Sequence, residues 1–185
     1  MQRWRVPLGF ACAALFLVFA QPHVTTMLVG GAIALVGLLI RAWASGHIRK
    51  NDRLAVTGPY AFTRNPLYFG SFLMGIGFSV AASRWWLGLL FVALFAGIYL
   101  PVMRVEARTL REMFGADYED YARRVPLFVP RPTAYRPANQ KGATEADETI
   151  VRFDKTLYLR YREYRAALGT LAAWCVLWLK AIFLS

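Results

Sequence analysis

Five runs of the chain are almost free of charge: Val6–Ala20, Val24–Ala44, Leu67–Ala82, Trp85–Met103 and Ala166–Leu184. A helix that crosses a bilayer needs about 20 apolar residues, with about 17 as a working minimum. Two of the runs reach that length, and the others come close once interfacial Trp, Tyr and Arg at their ends are counted. The first four runs pair as two hairpins. Between the hairpins, Ser45–Pro66 is too rich in Gly, Pro and Asn to be one helix. After the fourth run the helical pattern continues through Arg104–Phe114, Gly115 provides a stop, and Asp117–Arg124 forms a further short helix. Prolines then hold Val125–Pro130 extended. Arg131–Thr149 has the composition of a linker. In Ile150–Leu168, residues Ile150, Asp154, Leu157, Tyr161, Tyr164 and Leu168 share one helical face, as in a helix lying at the membrane surface.

The expected fold is an all-α integral membrane protein with two transmembrane hairpins, a cytoplasmic helical segment with a linker, and a fifth, C-terminal transmembrane helix. Its divisions are 1–130, a linker at 131–149, and 150–185 for the interfacial and last helices. Met1–Gln21 also has the build of a signal peptide, but the topology after it is the same either way.

Of the 185 residues, 57% are hydrophobic and the net charge is +11. The position of that charge decides its meaning. Residues 1–103 hold eight basic residues and one acid, Asp52, while residues 104–166 hold thirteen basic and ten acidic residues. The excess lies beside apolar runs rather than on a soluble basic face, so it implies membrane lipids as partners and no nucleic acid. The regions 41–64 and 104–165, dense in Arg and Lys, are expected on the cytoplasmic side. The tips at Gln21-Pro22-His23 and Ser83-Arg84 are expected outside. Cys12 and Cys175 lie in apolar helical runs and form neither a disulfide framework nor a metal site; no metal is expected. Ser71, Gly75 and Ser79 recur every four residues beside Gly70 and Gly77, a stripe that admits close helix packing.

Polar groups at the edge of an apolar run carry the chemistry, because such groups are costly there unless paired. Tyr60, Arg64, Asn65 and Tyr68 precede or open the third run, and Arg104 and Glu106 follow the fourth. A hairpin between them brings both sets to one side, where they can surround a single pocket. The plainer alternative is that the arginines anchor topology and Glu106 pairs with one of them.

The blocks that hold these residues resemble a known family. Gly58-Pro59-Tyr60 followed by Arg64-Asn65-Pro66-Leu67-Tyr68-Phe69-Gly70 is similar to the Gly-x-Tyr…Arg-His-Pro-x-Tyr-x-Gly segment of isoprenylcysteine carboxyl methyltransferases and related phospholipid methyltransferases. Val105–Pro130, "VEARTLREMFGADYEDYARRVPLFVP", resembles the acidic segment that follows one hairpin later in the same family. The resemblance spans Leu54 to Pro130. It implies a membrane methyltransferase that uses S-adenosylmethionine and acts on a lipidic or prenylated substrate, such as the carboxylate of a prenylated cysteine. It further implies a cytoplasmic cofactor pocket of Leu54, Ala55, Tyr60, Arg64, Asn65, Pro66, Leu67, Tyr68 and Glu106. Arg104 and Tyr68 take the catalytic positions, Arg104 toward the substrate. Two positions depart from the family: Asn65 stands for its histidine and Val105 for one of its paired acids.

The chemistry implied by the resemblance suits these residues. Glu106 can pair with the cofactor's ammonium, Asn65 or nearby backbone N–H groups can hold its carboxylate, and a tyrosine face can receive the sulfonium. Two other readings remain at this level. One is an NADPH-dependent sterol-type reductase, whose C-terminal block is similar; the other is a non-catalytic membrane scaffold. The oligomeric state is not legible.

Overall fold

The computed structural model describes residues 5–47, 54–136 and 155–183. Among these residues six α-helices follow in order: α1 Arg5–Phe19, α2 Val24–Ser45, α3 Pro66–Ala81, α4 Trp85–Arg124, α5 Lys155–Arg160 and α6 Tyr164–Phe183, with a turn of 3-10 helix at Gly58–Ala61. No strand occurs among the described residues. Three of the helices, α2, α4 and α6, are long and apolar enough to cross a membrane. The helices α1 and α3 have 15 and 16 residues, short of a full span by length alone.

The chain forms two compact units. One comprises Met1–Leu38, Ser71–Pro101 and Arg165–Ser185; the other comprises Leu39–Gly70 and Val102–Tyr164. The helices α2, α3 and α4 each contribute to both units, and α4 passes from one to the other at Pro101. Proline removes an i→i−4 hydrogen bond, so it marks a natural boundary within a long helix.

The first unit is built on apolar contact. Gly30 of α2 and Gly77 of α3 let the two backbones touch: a Cβ on either would collide with the other's carbonyl oxygen. Close approach through small residues is how helices pack in lipid, where burial alone supplies no drive. Phe72, Phe91, Phe95 and Tyr99 form a ladder, with centroids 5.1 Å apart for Phe72–Phe95 and 4.6 Å for Phe95–Tyr99. The turns expected on one side do meet. Gln21 N donates to Ala82 O at 2.9 Å, and the Thr26 and Ser83 hydroxyls are 2.8 Å apart. Lys180 near the end of α6 donates to Leu17 O and Val18 O at 2.6 and 2.8 Å, which satisfies carbonyls that the end of α1 leaves open.

The second unit has an aromatic core of Ala61, Tyr118, Tyr121, Val125 and Tyr135, packed on by Leu54, Val56, Phe62 and Phe114. The break at Gly115 is real: its φ of 52° is left-handed, and α4 changes course there. The extended stretch after α4 docks on the loop before α3. Arg64 N donates to Pro126 O at 3.0 Å, Arg131 N to Phe62 O at 3.0 Å, and Tyr135 N to Ala61 O at 2.9 Å. Residues 131–136, expected as the start of a linker, are therefore held in place. Tyr135 is buried, and its hydroxyl donates to Asp120 Oδ2 at 2.9 Å. The rest of the expected linker, 137–149, lies outside the described residues, as do Arg49, Lys50, Asp52 and Arg53.

The expected continuous helix over Ile150–Leu168 is broken. Residues 150–154 lie outside the description, α5 ends at Arg160, and α6 begins at Tyr164. Between them Arg162 has a φ of 54°. A non-glycine residue in that region needs a reason, and the partner of the next residue supplies one.

Candidate functional site

The helix α3 begins where local chemistry requires. Pro66 at its first position lacks an N–H that would go unpaired there, and its ring keeps Asn65 out of helical conformation. Asn65 does not spend its side chain on the helix end. Its Nδ2 donates to Leu127 O at 2.9 Å, and Thr63 Oγ1 donates to Phe128 O at 2.8 Å. Arg64 Nη1 donates to the Tyr118 hydroxyl at 3.1 Å, and the guanidinium lies 6.0 Å from the Tyr118 ring centroid. The triplet Thr63-Arg64-Asn65 thus ties the start of α3 to the segment after α4.

One turn further, the Tyr68 hydroxyl donates to Glu106 Oε1 at 2.8 Å. Glu106 is exposed, so its carboxylate is open to a ligand while one oxygen is held by Tyr68. Tyr60 lies nearby and is 6% exposed. Its phenol is pushed above its ordinary pKa, first by burial and then by the negative charges of Glu106 and Glu163. Tyr60 stays neutral through the physiological range. Its carbonyl accepts a 2.7 Å hydrogen bond from the Tyr121 hydroxyl, which fixes the 3-10 turn on the aromatic core.

Sequence reasoning did not select two further residues of this cluster. Arg41, near the end of α2, donates from Nη2 to both carboxylate oxygens of Glu163 at 2.9 and 2.8 Å, and from Nη1 to Leu67 O at 3.3 Å. In the sequence Arg41 only opens the Arg- and Lys-dense region 41–64. Glu163 stood in an amphipathic pattern and carried no motif. The left-handed Arg162 turns the chain so that Glu163 meets Arg41.

The residues expected to share one pocket therefore divide. Tyr60, Leu67, Tyr68 and Glu106 gather with Arg41 and Glu163. Pro66 is buried beneath them, and Leu54 packs on the aromatic core with Ala55 beside it in the chain, half-buried. Arg104 does not join Glu106. Two residues apart on a helix of 3.6 residues per turn, the side chains point about 200° from each other. Arg104 instead lines a cavity of about 250 Å³ with Arg64, Ala107, Arg108, Arg111 and Leu127. Arg104 and Glu106, expected around one pocket, thus stand on different sides of α4.

Three helices long and apolar enough to cross a membrane mark a membrane protein, and the tyrosine–glutamate pair lies at the first turn of α3 and beyond Pro101 of α4. The model of the phospholipid methyltransferase family matches residues 24–117, half of the chain, and the protein belongs to that family. The match holds both site segments, from Tyr60–Tyr68 to Glu106. The chain is 33% identical over 143 residues to the cobalt-zinc-cadmium resistance protein of Cupriavidus metallidurans. It is 32% identical over 143 residues to the nickel-cobalt-cadmium resistance protein of Alcaligenes xylosoxydans xylosoxydans. Each alignment covers 72% of this chain, and the matched region spans 64% and 65% of those relatives' lengths. The protein-S-isoprenylcysteine O-methyltransferase of Schizosaccharomyces pombe is 32% identical over 83 residues, 44% of this chain and 35% of that protein. No solved structure gives a significant match. No group of three His, Cys, Asp or Glu side chains able to hold a metal ion occurs among the described residues.

Proposed function

We propose that the protein is a multi-pass membrane methyltransferase that uses S-adenosylmethionine on the cytoplasmic side and methylates an isoprenoid or lipid-type substrate. The observation that carries this reading is the Tyr68–Glu106 hydrogen bond in a chain of the phospholipid methyltransferase family. The donor set fits the cofactor. The exposed Glu106 offers a carboxylate for an ammonium group, and the half-buried Tyr68 offers a neutral aromatic face for a cation. Bound S-adenosylmethionine supplies a methyl group already activated on a sulfonium, so the protein's work is to align, orient and exclude water. Tyr68 orients Glu106. The Arg41–Glu163 pair steadies the wall of the cluster through the Leu67 carbonyl.

The substrate class is supported by the first unit. Its aromatic ladder borders a cavity of about 420 Å³ lined almost wholly by apolar groups, among them Phe16, Phe78, Phe91, Phe95 and Leu177. Such a cavity suits a prenyl or acyl chain. The name of the Schizosaccharomyces pombe relative suggests a prenylated cysteine carboxylate as acceptor, and a carboxylate nucleophile requires no general base.

The test is ligand-induced stabilisation of the purified protein in detergent. S-adenosylmethionine and S-adenosylhomocysteine should each raise the unfolding temperature, by the equivalent of about 2.7 kcal/mol at a hundredfold excess over Kd. Glu106→Gln should remove the shift. Stabilisation by NADPH instead would turn the reading to a reductase, and no response to any of the three would leave a scaffold.

A further inference from the structure

The cavity on the far face of α4 from Glu106 is basic on every charged side. Arg104, Arg108 and Arg111 stand at i, i+4 and i+7 on one face of α4, and Arg64 enters from the loop before α3. No carboxylate lines the cavity. Elsewhere in the same unit, two arginines pair closely with acids. Arg41 pairs with Glu163 at 2.8 Å and Arg124 with Asp120 at 3.0 Å. Of the four cavity arginines, only Arg111 has an acidic partner among the described residues, an exposed contact with Glu119 at 3.5 Å. Arg104, Arg108 and Arg111 are exposed and Arg64 is half-buried, so the cavity is open to an anion, and one that joins the four like charges relieves their repulsion.

We propose that Arg64, Arg104, Arg108 and Arg111 form a binding site for a phosphoryl group, and that the group is carried by an anionic membrane lipid. Guanidinium forks match the paired oxygens of a phosphate, which offers more acceptors than a carboxylate to four converging donors. Position argues for a lipid source. Arg104 is the first charged residue after the uninterrupted apolar run Trp85–Met103, and the end of such a run is where headgroup phosphates lie. Leu127 and Ala107 complete the lining with apolar surface. Arg104 then meets the phosphate of a lipid and not the methyl donor. The site stands apart from the methyl-donor reading, because nothing in it requires the cofactor.

The test is lipid retention by the full chain in neutral detergent, read by native mass spectrometry. Phosphatidic acid, phosphatidylglycerol and oleate are each added, the last as an anion without phosphorus. Both phospholipids should be held in preference to oleate. Arg108→Gln should cut their retention about tenfold, the loss expected from one charge-assisted contact. Arg123→Gln removes an equal charge outside the cavity and should change retention little. An unchanged unfolding temperature for Arg108→Gln establishes that the variant is folded, and Arg108→Lys should retain an intermediate amount because it keeps the charge without the fork. Inorganic phosphate provides the other source. Stabilisation by it, with no phospholipid held, supports the phosphoryl site and moves its ligand to solution. Equal retention of oleate, equal loss in the Arg108 and Arg123 variants, or no retention and no phosphate effect overturns the proposal. None of these readouts involves S-adenosylmethionine, so failure here leaves the methyltransferase reading standing.

Discussion

The Tyr68 hydroxyl donates a 2.8 Å hydrogen bond to Glu106 Oε1 across 38 residues of sequence. The bond joins the first turn of α3 to α4 beyond Pro101, and it holds a carboxylate that is otherwise exposed. Tyr68→Phe keeps the ring and removes the hydroxyl that makes this bond. It should weaken S-adenosylmethionine binding by about three- to tenfold, the effect of losing one hydrogen bond worth about 0.5–1.5 kcal/mol. Glu106→Gln should weaken it more. If Tyr68 acts by orienting Glu106, the double variant should lose no more than Glu106→Gln alone, because the two effects share one path. Isothermal titration in detergent measures all three. Additive losses would mean that Tyr68 acts on its own.

The pair Arg41–Glu163 makes a second prediction. Both side chains are mostly shielded, at 21% and 13% exposed, so removing one partner strands the other. Glu163→Gln should destabilise the protein by about 1–3 kcal/mol, below the range for a fully buried pair because some solvent remains. Arg41→Gln should cost a similar amount, and the double variant little more than either. Thermal unfolding in one detergent gives the comparison. S-adenosylmethionine affinity should fall as well, because Arg41 also holds the Leu67 carbonyl beside Tyr68.

Much of this arrangement was legible in the sequence, and particular residues explain the rest. The apolar runs marked α2, α3, α4 and α6, and Gly115 and Asn65-Pro66 marked a helix break and a helix start, because each is a local rule. The meeting of Tyr68 and Glu106 followed from the hairpin between them. The Arg41–Glu163 pair did not follow, since 122 residues separate the partners and neither sits in a motif. The division of Arg104 from Glu106 was open to helical phase alone, but the shared position beside an apolar run suggested a shared pocket. Tyr135 was hidden in a polar stretch whose composition reads as linker, and its burial depends on Asp120 and Tyr121, which only the folded chain supplies.

The contact between α2 and α3 predicts opposite outcomes for two glycines. A Cβ on Gly77 would stand 2.8 Å from Ala34 N and 2.9 Å from Ala34 Cβ, and would meet the Gly30 carbonyl, so the helices must part. Gly77→Ala should destabilise by about 1–3 kcal/mol, as overpacking does. Gly97→Ala meets nothing within 4 Å and gains helix propensity, so it should be neutral or stabilising by up to about 1 kcal/mol. Unfolding in a detergent–denaturant series compares the two. Equal effects would show that backbone contact at Gly77 does not hold the helices together.

Alkaline pH should release the site from the inside. The phenol of Tyr60 is raised above its ordinary pKa by burial and by Glu106 and Glu163, and that of Tyr135 is raised by burial and by its bond to Asp120. In the unfolded chain a tyrosine loses its proton near pH 10, while in the folded protein these two keep theirs to higher pH. Above about pH 10 the folded state therefore binds more protons than the unfolded state, and stability falls as pH rises. Below that pH both states are protonated and the contribution is constant. Tyrosinate absorbance followed together with helical circular dichroism should show a fraction of the tyrosines ionising only as structure is lost. In Tyr60→Phe that delayed fraction should shrink and the alkaline loss of stability should become shallower. If all tyrosines ionise near pH 10 with the helices intact, Tyr60 is not shut away beside two carboxylates.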